Sequence, residues 1–378
     1  MNPYRIYIIA GESSGDAHGA ALMREIAALI PDVQFFGAGG PQMQKMAANP
    51  FLNWTHEAVV GLWDVLVKYG YFRERFHEMF SQIRRIDPAA VIFVDYPGFN
   101  MRLAAYLRRK GYAGKLICYI SPQVWAWNRG RIPRMAKFLD LMMCIFPFEK
   151  PLYEASGLRT EFVGHPLLHE LERHRTGIPR DPALVALLPG SRGREVKRIF
   201  PVMLRAATLL GARDRSMRFE ASAASETTRK IMQKLLDETE TRNVIIGSGH
   251  SYELMQRACA GMVASGTATL ESTFFRLPFV LIYKVSWFTY LPGRMLIRID
   301  YLGMPNILAG RKIIPEFIQH EAKPHCIADA VWDLYSNSPA RAAMLADMDR
   351  VIESLGRKGA ERHPAEVVVR ELQTLLTE

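Results

Sequence analysis

Short continuous apolar runs recur along the 378 residues, each closed by small or polar residues and followed by apolar positions at helical spacing. Ile6 to Ala10 is the first, and its lack of polar alternation predicts a parallel strand buried on both faces. It ends in Gly11-Glu12-Ser13-Ser14-Gly15-Asp16, after which Leu22, Met23, Ile26 and Leu29 predict a helix. Further runs at Val33 to Phe36, Val91 to Val94, Leu116 to Ile120 and Leu141 to Phe146 predict more strands, Phe162-Val163-Gly164-His165-Pro166 closes the first domain, and Phe72, Phe76, Met79 and Ile83 form one face of a covering helix. From Leu184 the alternation restarts, with strands at Leu184 to Leu188, near Arg218 to Ala221, Val244 to Ile246, Gly261 to Ala264 and Pro278 to Tyr283. A helix is expected from Pro201, whose fixed φ suits a first helical position. Helices near Pro324 to Tyr335, Pro339 to Leu355 and Ala360 to Leu376 close the chain. The pattern predicts an α/β protein of two Rossmann-like, doubly wound halves, with ligand loops at the carboxyl ends of the strands. Leu168 to Pro182, rich in His, Arg and Pro, reads as a hinge between them.

Candidate chemistry sits where the strands end. Leu187-Leu188-Pro189-Gly190-Ser191-Arg192-Gly193 runs from a strand into a glycine-bracketed loop. There Ser191 offers a hydroxyl and Arg192 a planar fork of donors suited to a diphosphate. A solvated surface turn explains the same residues. The loop lacks the lysine and spacing of a Walker motif, and Gly37-Ala38-Gly39-Gly40-Pro41 is not G-x-G-x-x-G, so neither a kinase nor a nicotinamide dinucleotide site is supported. Ser265, Gly266 and Thr267 at a helix start make a second anion site, with Glu271 one turn in and able to accept from a ribose diol; a self-capped helix start is the plainer alternative. Asp95 stands at the carboxyl end of a central strand and is the best general-base candidate of the first half, against the alternative of a turn-stabilising Asp. Asn100 can cap the following helix. Trp125, Trp127, Arg129 and Arg131 crowd one loop, which is costly unless they line a site.

At this length two to three domains are expected, each able to bury a core. Lys plus Arg exceed Asp plus Glu, 48 against 38, for a net +10, which favours a nucleotide, a phosphorylated substrate or an acidic membrane surface. Cys118, Cys144, Cys259 and Cys326 stand singly and read as reduced core residues. No apolar run approaches the ~18 residues of a spanning helix, and no cleaved export signal is expected. Val59 to Tyr71 is apolar on all sides and followed by Arg73 and Arg75, which fits either a buried helix or a lipid-contacting patch. Trp287 to Tyr301, carrying Arg294 and Arg298, is a second apolar and basic segment, and Pro305 to Arg311 follows as a structured loop. Asp347-Met348-Asp349 is the one D-x-D, but it lies in a helical pattern and is discounted as a metal site.

Ala10-Gly-Glu-Ser-Ser-Gly-Asp16, Asp95-Tyr-Pro-Gly-Phe-Asn100, Ser121-Pro-Gln-Val-Trp-Ala-Trp127, Pro147-Phe-Glu-Lys150, Leu188-Pro-Gly-Ser-Arg-Gly193, Ala264-Ser-Gly-Thr-Ala268 and Pro305-Asn-Ile-Leu-Ala-Gly310 span nearly the whole chain. In content and order they resemble the lipid-A-disaccharide synthase family of glycosyltransferases. The related lipid-II glycosyltransferase carries a GGTGGH-like loop where this chain has Gly11-Glu-Ser-Ser-Gly-Asp16. The resemblance implies a GT-B fold, with two Rossmann-like domains facing a cleft: 1–168 for the acceptor and membrane, 183–355 for the UDP-sugar, and 356–378 as a helix packing across domains or subunits.

It further implies transfer of a 2,3-diacylglucosamine unit from UDP-2,3-diacylglucosamine to 2,3-diacylglucosamine 1-phosphate (lipid X), giving a β-1,6-linked disaccharide 1-phosphate and UDP. Asp95 would be the base. Arg192 with Ser191 would hold the diphosphate, helped by Ser265, Gly266 and Thr267, while Glu271 and Asn306 match family positions at the nucleotide and Ser14 lies on a loop facing the cleft. No cofactor and no metal are expected, because fixed cationic and amide donors replace the ion. Both substrates are acylated, so a peripheral site on the cytoplasmic face of the inner membrane is implied, through Val59, Val60, Leu62, Trp63, Leu66 and Val67, on anionic lipid. No nucleic-acid partner is implied, and homo-oligomerisation is left open. Two other readings share the fold: a UDP-sugar 2-epimerase, which needs no acyl-binding surface, and a nucleotide-sugar or lipid-binding protein without turnover.

Overall fold

The computed structural model describes residues 2–55, 69–239, 241, 243–248, 251–286, 299–336, 338–356 and 363–377. The chain divides into two compact units, Met1–Pro166 with Leu355–Glu378, and Leu167–Ser354.

The first unit is built on seven parallel strands: β1 (Asn2–Ala10), β2 (Gln34–Gly39), β3 (Phe51–Asn53), β4 (Pro88–Val94), β5 (Lys115–Tyr119), β6 (Leu141–Cys144) and β7 (Thr160–Phe162). Their order is β3-β2-β1-β4-β5-β6-β7. The unbroken apolar runs follow from this arrangement, since both faces of the sheet are covered. Tyr7, Ile9, Val91 and Phe93 pack beneath Met79 and Ile83 of the helix Tyr69–Ile86 and Leu103 and Leu107 of the helix Pro97–Arg109. Ile6, Ile8, Ile92 and Val94 point the other way, onto Leu22, Met23 and Ile26 of the helix Ser13–Leu29. Leu29, expected on that inner face, is half exposed because the helix ends there.

That second face is completed by the end of the chain. Val367, Val368 and Leu372 of the helix Pro364–Thr377 join the same core, and Arg370 pairs with Glu161 at 2.6 Å and Arg159 with Glu371 at 2.7 Å. The last helix therefore lies on the first unit's own sheet. Its expected start at Ala360 falls outside the described residues.

The second unit carries β8 (Asp181–Leu188), β9 (Arg218–Ala223), β10 (Val244–Ser248), β11 (Ala258–Ala264), β12 (Phe279–Tyr283) and β13 (Glu316–Ile318), parallel and in the order β10-β9-β8-β11-β12-β13. Three local expectations change. The helix expected from Pro201 begins at Gly193 and runs to Arg213 with Pro201 inside it. The proline lacks the amide that would have bonded the carbonyl of Lys197, an exposed residue, and the helix continues through it. Pro305 to Arg311 is not a loop throughout, because Met304–Ala309 is a short helix stopped by Gly310 in the left-handed region. The hinge-like stretch after Leu168 opens with the helix Pro166–Arg173, whose Leu167 and Leu171 are buried. Asp347 pairs with Arg311 and Arg350, and Asp349 with Arg276, which accounts for both carboxylates of the D-x-D. All four cysteines are free. Among the described residues no helix is long and apolar enough to cross a membrane.

Candidate active site

A doubly wound sheet opens a crevice where the strand order reverses, because the loops leaving the two neighbouring strands turn to opposite faces. In the first unit this point lies between β1 and β4, which pair from Ile6↔Ala90 to Ala10↔Val94. The loop after β1 holds Gly11, and the loop after β4 holds Asp95 and Tyr96. Both of the latter are in the left-handed region at φ 48°, an arrangement that costs side-chain-bearing residues of order 1–3 kcal/mol each and clusters at functional sites. The surroundings enforce it. Asn100 Nδ2 donates to the carbonyl of Asp95 at 2.7 Å and of Val94 at 3.3 Å. Asn100 is thus not the expected cap of the helix Pro97–Arg109; it clamps the end of β4. The Tyr96 ring meets Trp54 edge-on at 5.7 Å, and Trp54 Nε1 donates to Ala10 O at 2.6 Å.

Burial pushes the Asp95 carboxyl above the ordinary carboxylate range, while the Tyr96 amide and the charge of His18 pull it partly back. His18 is on the second turn of the helix Ser13–Leu29, and it also acts on His165, which burial depresses to about 3 and so keeps neutral. Ser14, in the first turn of that helix, is exposed. Asp16, two residues on, is buried and accepts from the amides of Gly40, Gln42 and Met43 at 2.9 to 3.0 Å, so it serves the fold.

The loops after β5 and β6 are joined by a carboxylate the sequence reading passed over. Glu149 has no solvent exposure and accepts from Ser121 Oγ at 2.6 Å, Trp125 Nε1 at 2.8 Å and the Phe146 amide at 3.1 Å. Burial raises its carboxyl to about 7 against the pull of those donors. The one signal for it was position: Glu149 lies in the Pro147 to Lys150 motif, as His18 lies just beyond the Gly11 motif and His165 beside Gly164.

In the second unit the reversal lies between β8 and β11, paired from Ala260↔Val185 to Val263↔Leu188. Their loops are the two expected anion sites, 75 residues apart in sequence and leaving adjacent strands. Gly190 sits at φ 103°, which disfavours a side chain, and a β-carbon there would lie 2.8 Å from Glu195 Oε2. Ser191 and Arg192 are exposed, and Arg192 Nη1 pairs with Glu195 Oε1 at 3.1 Å. Across from them Ser265 is half-buried while Gly266 and Thr267 are exposed at the start of the helix Thr267–Phe274. Thr269 Oγ1 donates to Gly266 O at 2.8 Å, so the hydroxyl at that position is used internally. Glu271 accepts from the Tyr252 hydroxyl, and burial together with the Glu170 charge raises it to about 7.

Asn306 differs from expectation. Its Nδ2 donates to Ile314 O at 2.8 Å and Glu316 Oε1 at 2.7 Å, and its Oδ1 accepts from the amides of Ile313 and Ile314 at 2.7 and 2.8 Å. Both donors and both lone pairs are engaged inside the protein, and the residue is wholly buried, so the side chain holds a loop and offers nothing to a nucleotide. Its helix packs beside the one that carries Glu271. Val59, Val60, Leu62, Trp63, Leu66 and Val67, and most of Trp287 to Tyr301, lie outside the described residues. Among the described residues no group of His, Cys, Asp and Glu is arranged to hold a metal ion.

A family model described as lipid-A-disaccharide synthetase matches residues 6–370. The chain belongs to the lipid-A-disaccharide synthase family. Curated members include the lipid-A-disaccharide synthase of Geobacter sulfurreducens, 39% identical over 378 residues and 97% of each chain, and that of Syntrophus aciditrophicus, 37% identical over 373 residues and 97% of each. Lipid-A-disaccharide synthase 1 of Legionella pneumophila is 34% identical over 98% of each. Among solved structures the chain is similar to the UDP-GlcNAc 2-epimerase of Neisseria meningitidis bound to UDP-GlcNAc (TM-score 0.61, 12% identity, 99% of this chain and 100% of that one). It is similar also to a ugt transferase of Siraitia grosvenorii in complex with UDP (TM-score 0.61, 10% identity, 99% and 100%). These two share the fold, GT-B, in which sheets of seven and six strands are the two halves. At such identities fold does not separate transferase from epimerase. Family membership does: the chain is a glycosyltransferase of lipid A biosynthesis.

Proposed function

We propose that the chain transfers the 2,3-diacylglucosamine unit of UDP-2,3-diacylglucosamine to the 6-hydroxyl of 2,3-diacylglucosamine 1-phosphate, with inversion. The observation that carries this reading is Asp95, a half-buried carboxylate at the strand-order reversal of the first sheet, held by Asn100 and Tyr96 with its pKa raised. A carboxylate whose pKa is raised is a better proton acceptor than an ordinary one. As the bond from the acceptor O6 to the donor C1 forms, the hydroxyl proton passes to Asp95. The C1 to phosphate-oxygen bond breaks, its electron pair leaving with UDP. An α-linked donor yields a β-linked product by this single displacement.

In the second unit Arg192 and Ser191 would receive the departing diphosphate, with the exposed start of the helix Thr267–Phe274 adding amide donors and a favourable dipole. UDP-GlcNAc and UDP in the two structures of the same fold support a uridine diphosphate donor. Glu271 fits the ribose diol: its partly protonated carboxyl both accepts and donates near neutral pH. Asn306 acts through the loop it anchors. The acylated substrates and the +10 charge favour peripheral attachment to anionic lipid on the cytoplasmic face of the inner membrane, through Val59 to Val67. Replacing Leu62, Trp63 and Leu66 with Ser in a folded protein should release it from anionic vesicles.

The deciding assay is UDP release from UDP-2,3-diacylglucosamine with and without 2,3-diacylglucosamine 1-phosphate, in EDTA. Acceptor-dependent release that collapses in Asp95→Ala supports a metal-independent transferase with Asp95 as its base. Release without acceptor, or none with either lipid, would sink it.

A further inference from the structure

The loop that follows β5 carries chemistry the transfer step leaves unused. β5 is the neighbour of β4, and the Asp95 amide donates to Tyr119 O at 3.0 Å, so the chain beyond Tyr119 departs from beside the proposed base. It passes through Ser121 and the short helix Val124–Trp127 to a 3-10 turn, Arg129–Arg131. Residues 128–139 include Arg129, Arg131, Arg134 and Lys137 and no acid. All four are exposed, and among the described residues none is paired with a carboxylate.

Two of these cations are held in place. The Arg131 guanidinium lies 4.5 Å over the ring of Trp127, which is itself 44% exposed. Arg129 Nε donates to Trp125 O at 3.1 Å, and the residue is exposed. Trp125 is in turn fixed by Glu149, which also holds Ser121. Glu149, Trp125 and Arg129 thus form one chain of contacts, and Trp127 with Arg131 a second contact on the same loop. Together they set two ordered, unneutralised cations at the ligand end of the first sheet. An isolated surface arginine loses nothing by waving in water; ordering two of like charge on one short loop costs energy that an anion bound there would return.

We infer that Arg129 and Arg131 form the subsite for the phosphate monoester of the acceptor. This rests on the transferase reading. An acceptor whose 6-hydroxyl meets Asp95 carries its 1-phosphate across the width of one pyranose ring. A planar fork matches two phosphate oxygens, and a second cation on the same loop suits a dianion. Trp127 would lie flat against the sugar or the first acyl carbons while steadying Arg131. The subsite makes the phosphorylated acceptor preferred over the same lipid without phosphate.

The test compares 2,3-diacylglucosamine 1-phosphate with 2,3-diacylglucosamine as acceptors in neutral detergent micelles, for the native chain, Arg129→Gln, Arg131→Gln and Arg131→Lys. Thermal unfolding of each checks the fold, and flotation on phosphatidylglycerol vesicles runs in parallel. The native preference in kcat/KM for the phosphorylated acceptor should fall roughly tenfold or more in each Gln variant, as loss of a charge-assisted contact implies. Donor KM and vesicle binding should stay unchanged, and Arg131→Lys should recover part of the preference. An unchanged preference overturns the subsite. Equal slowing with both acceptors together with lost vesicle binding also overturns it, and assigns the pair to a lipid surface. If the native chain itself shows no acceptor-dependent turnover, the transferase reading fails first, before any variant is compared, and the subsite falls with it.

Discussion

Gly11 and Tyr96 are pressed together across the strand-order reversal of the first sheet: a β-carbon on Gly11 would lie 2.3 Å from Cδ1 and Cγ of the Tyr96 ring. The loop after β1 thereby sets the position of the residue that follows Asp95. Gly11→Ala must displace the ring, and Trp54 closes its other side at 5.7 Å. We expect about 1–3 kcal/mol of destabilisation and a fall in kcat that exceeds any rise in either KM. A folded variant with unchanged kcat would show that Tyr96 does not position the base.

Asp95→Asn keeps the shape and removes the base. Turnover should fall on the order of 10²- to 10⁴-fold with the fold intact. Because burial raises the carboxyl, the native rate should decline as pH falls through a value above the ordinary carboxylate range. An acid limb at the usual aspartate value, measured with saturating substrates, would point to a different group.

Arg192 and Glu195 form an exposed pair at 3.1 Å, of the kind worth about 0–1 kcal/mol. Glu195→Gln should leave thermal stability nearly unchanged and free Arg192 for its ligand. Arg192→Ala should lower kcat/KM roughly 10- to 100-fold with little change in unfolding. If both variants behave alike, the diphosphate role is wrong.

Asn306→Ala strands two buried amides and removes a donor from Glu316. Each unsatisfied buried group costs about 1–3 kcal/mol, so the melting point should drop far more than donor affinity in the protein that remains folded. Loss of donor binding without loss of stability would restore the nucleotide contact.

Glu149 is raised from the ordinary 4.5 to about 7 in the folded chain. A raised acid binds a proton more tightly folded than unfolded, so its contribution to stability is full below about 4.5 and is lost as pH rises through about 7. Glu149→Gln should flatten that part of the stability curve, read by denaturant unfolding between those limits. Glu149→Ala should destabilise at every pH, because Ser121 and Trp125 lose their acceptor.

Most strands were legible because each is buried on two faces and so reads as an apolar run, as Ile6 to Ala10 and Leu184 to Leu188 do. Boundaries were less so. Pro201 signals a helix start by its own dihedral, yet it lies inside the helix Gly193–Arg213, because helical spacing runs on from Val196, Ile199 and Phe200, which are buried with Met203 and Leu204. Ser191, Arg192 and Asp95 were legible as candidates because exposed donors and a carboxylate after an apolar strand stand out. The internal hydrogen bonds of Asn306 were not legible, since an amide in a glycine-flanked motif looks the same whether it faces a ligand or its own backbone.

By itself the sequence determined the two α/β halves, the strand ends that carry polar residues, and, through ordered motifs along nearly the whole chain, the family. Those are properties of local pattern, set by burial on two faces and by residue type. The tertiary structure decided which strand ends are neighbours: that Gly190 meets the loop of Ser265, that Gly11 abuts Tyr96, that the last helix closes the first sheet. It also decided which polar side chains are spent inside the fold, as Asp16, Glu149 and Asn306 are, and which, like Arg129 and Arg131, stay exposed. Strand pairing and hydrogen-bond saturation are relations between distant residues, and no single stretch of chain contains them.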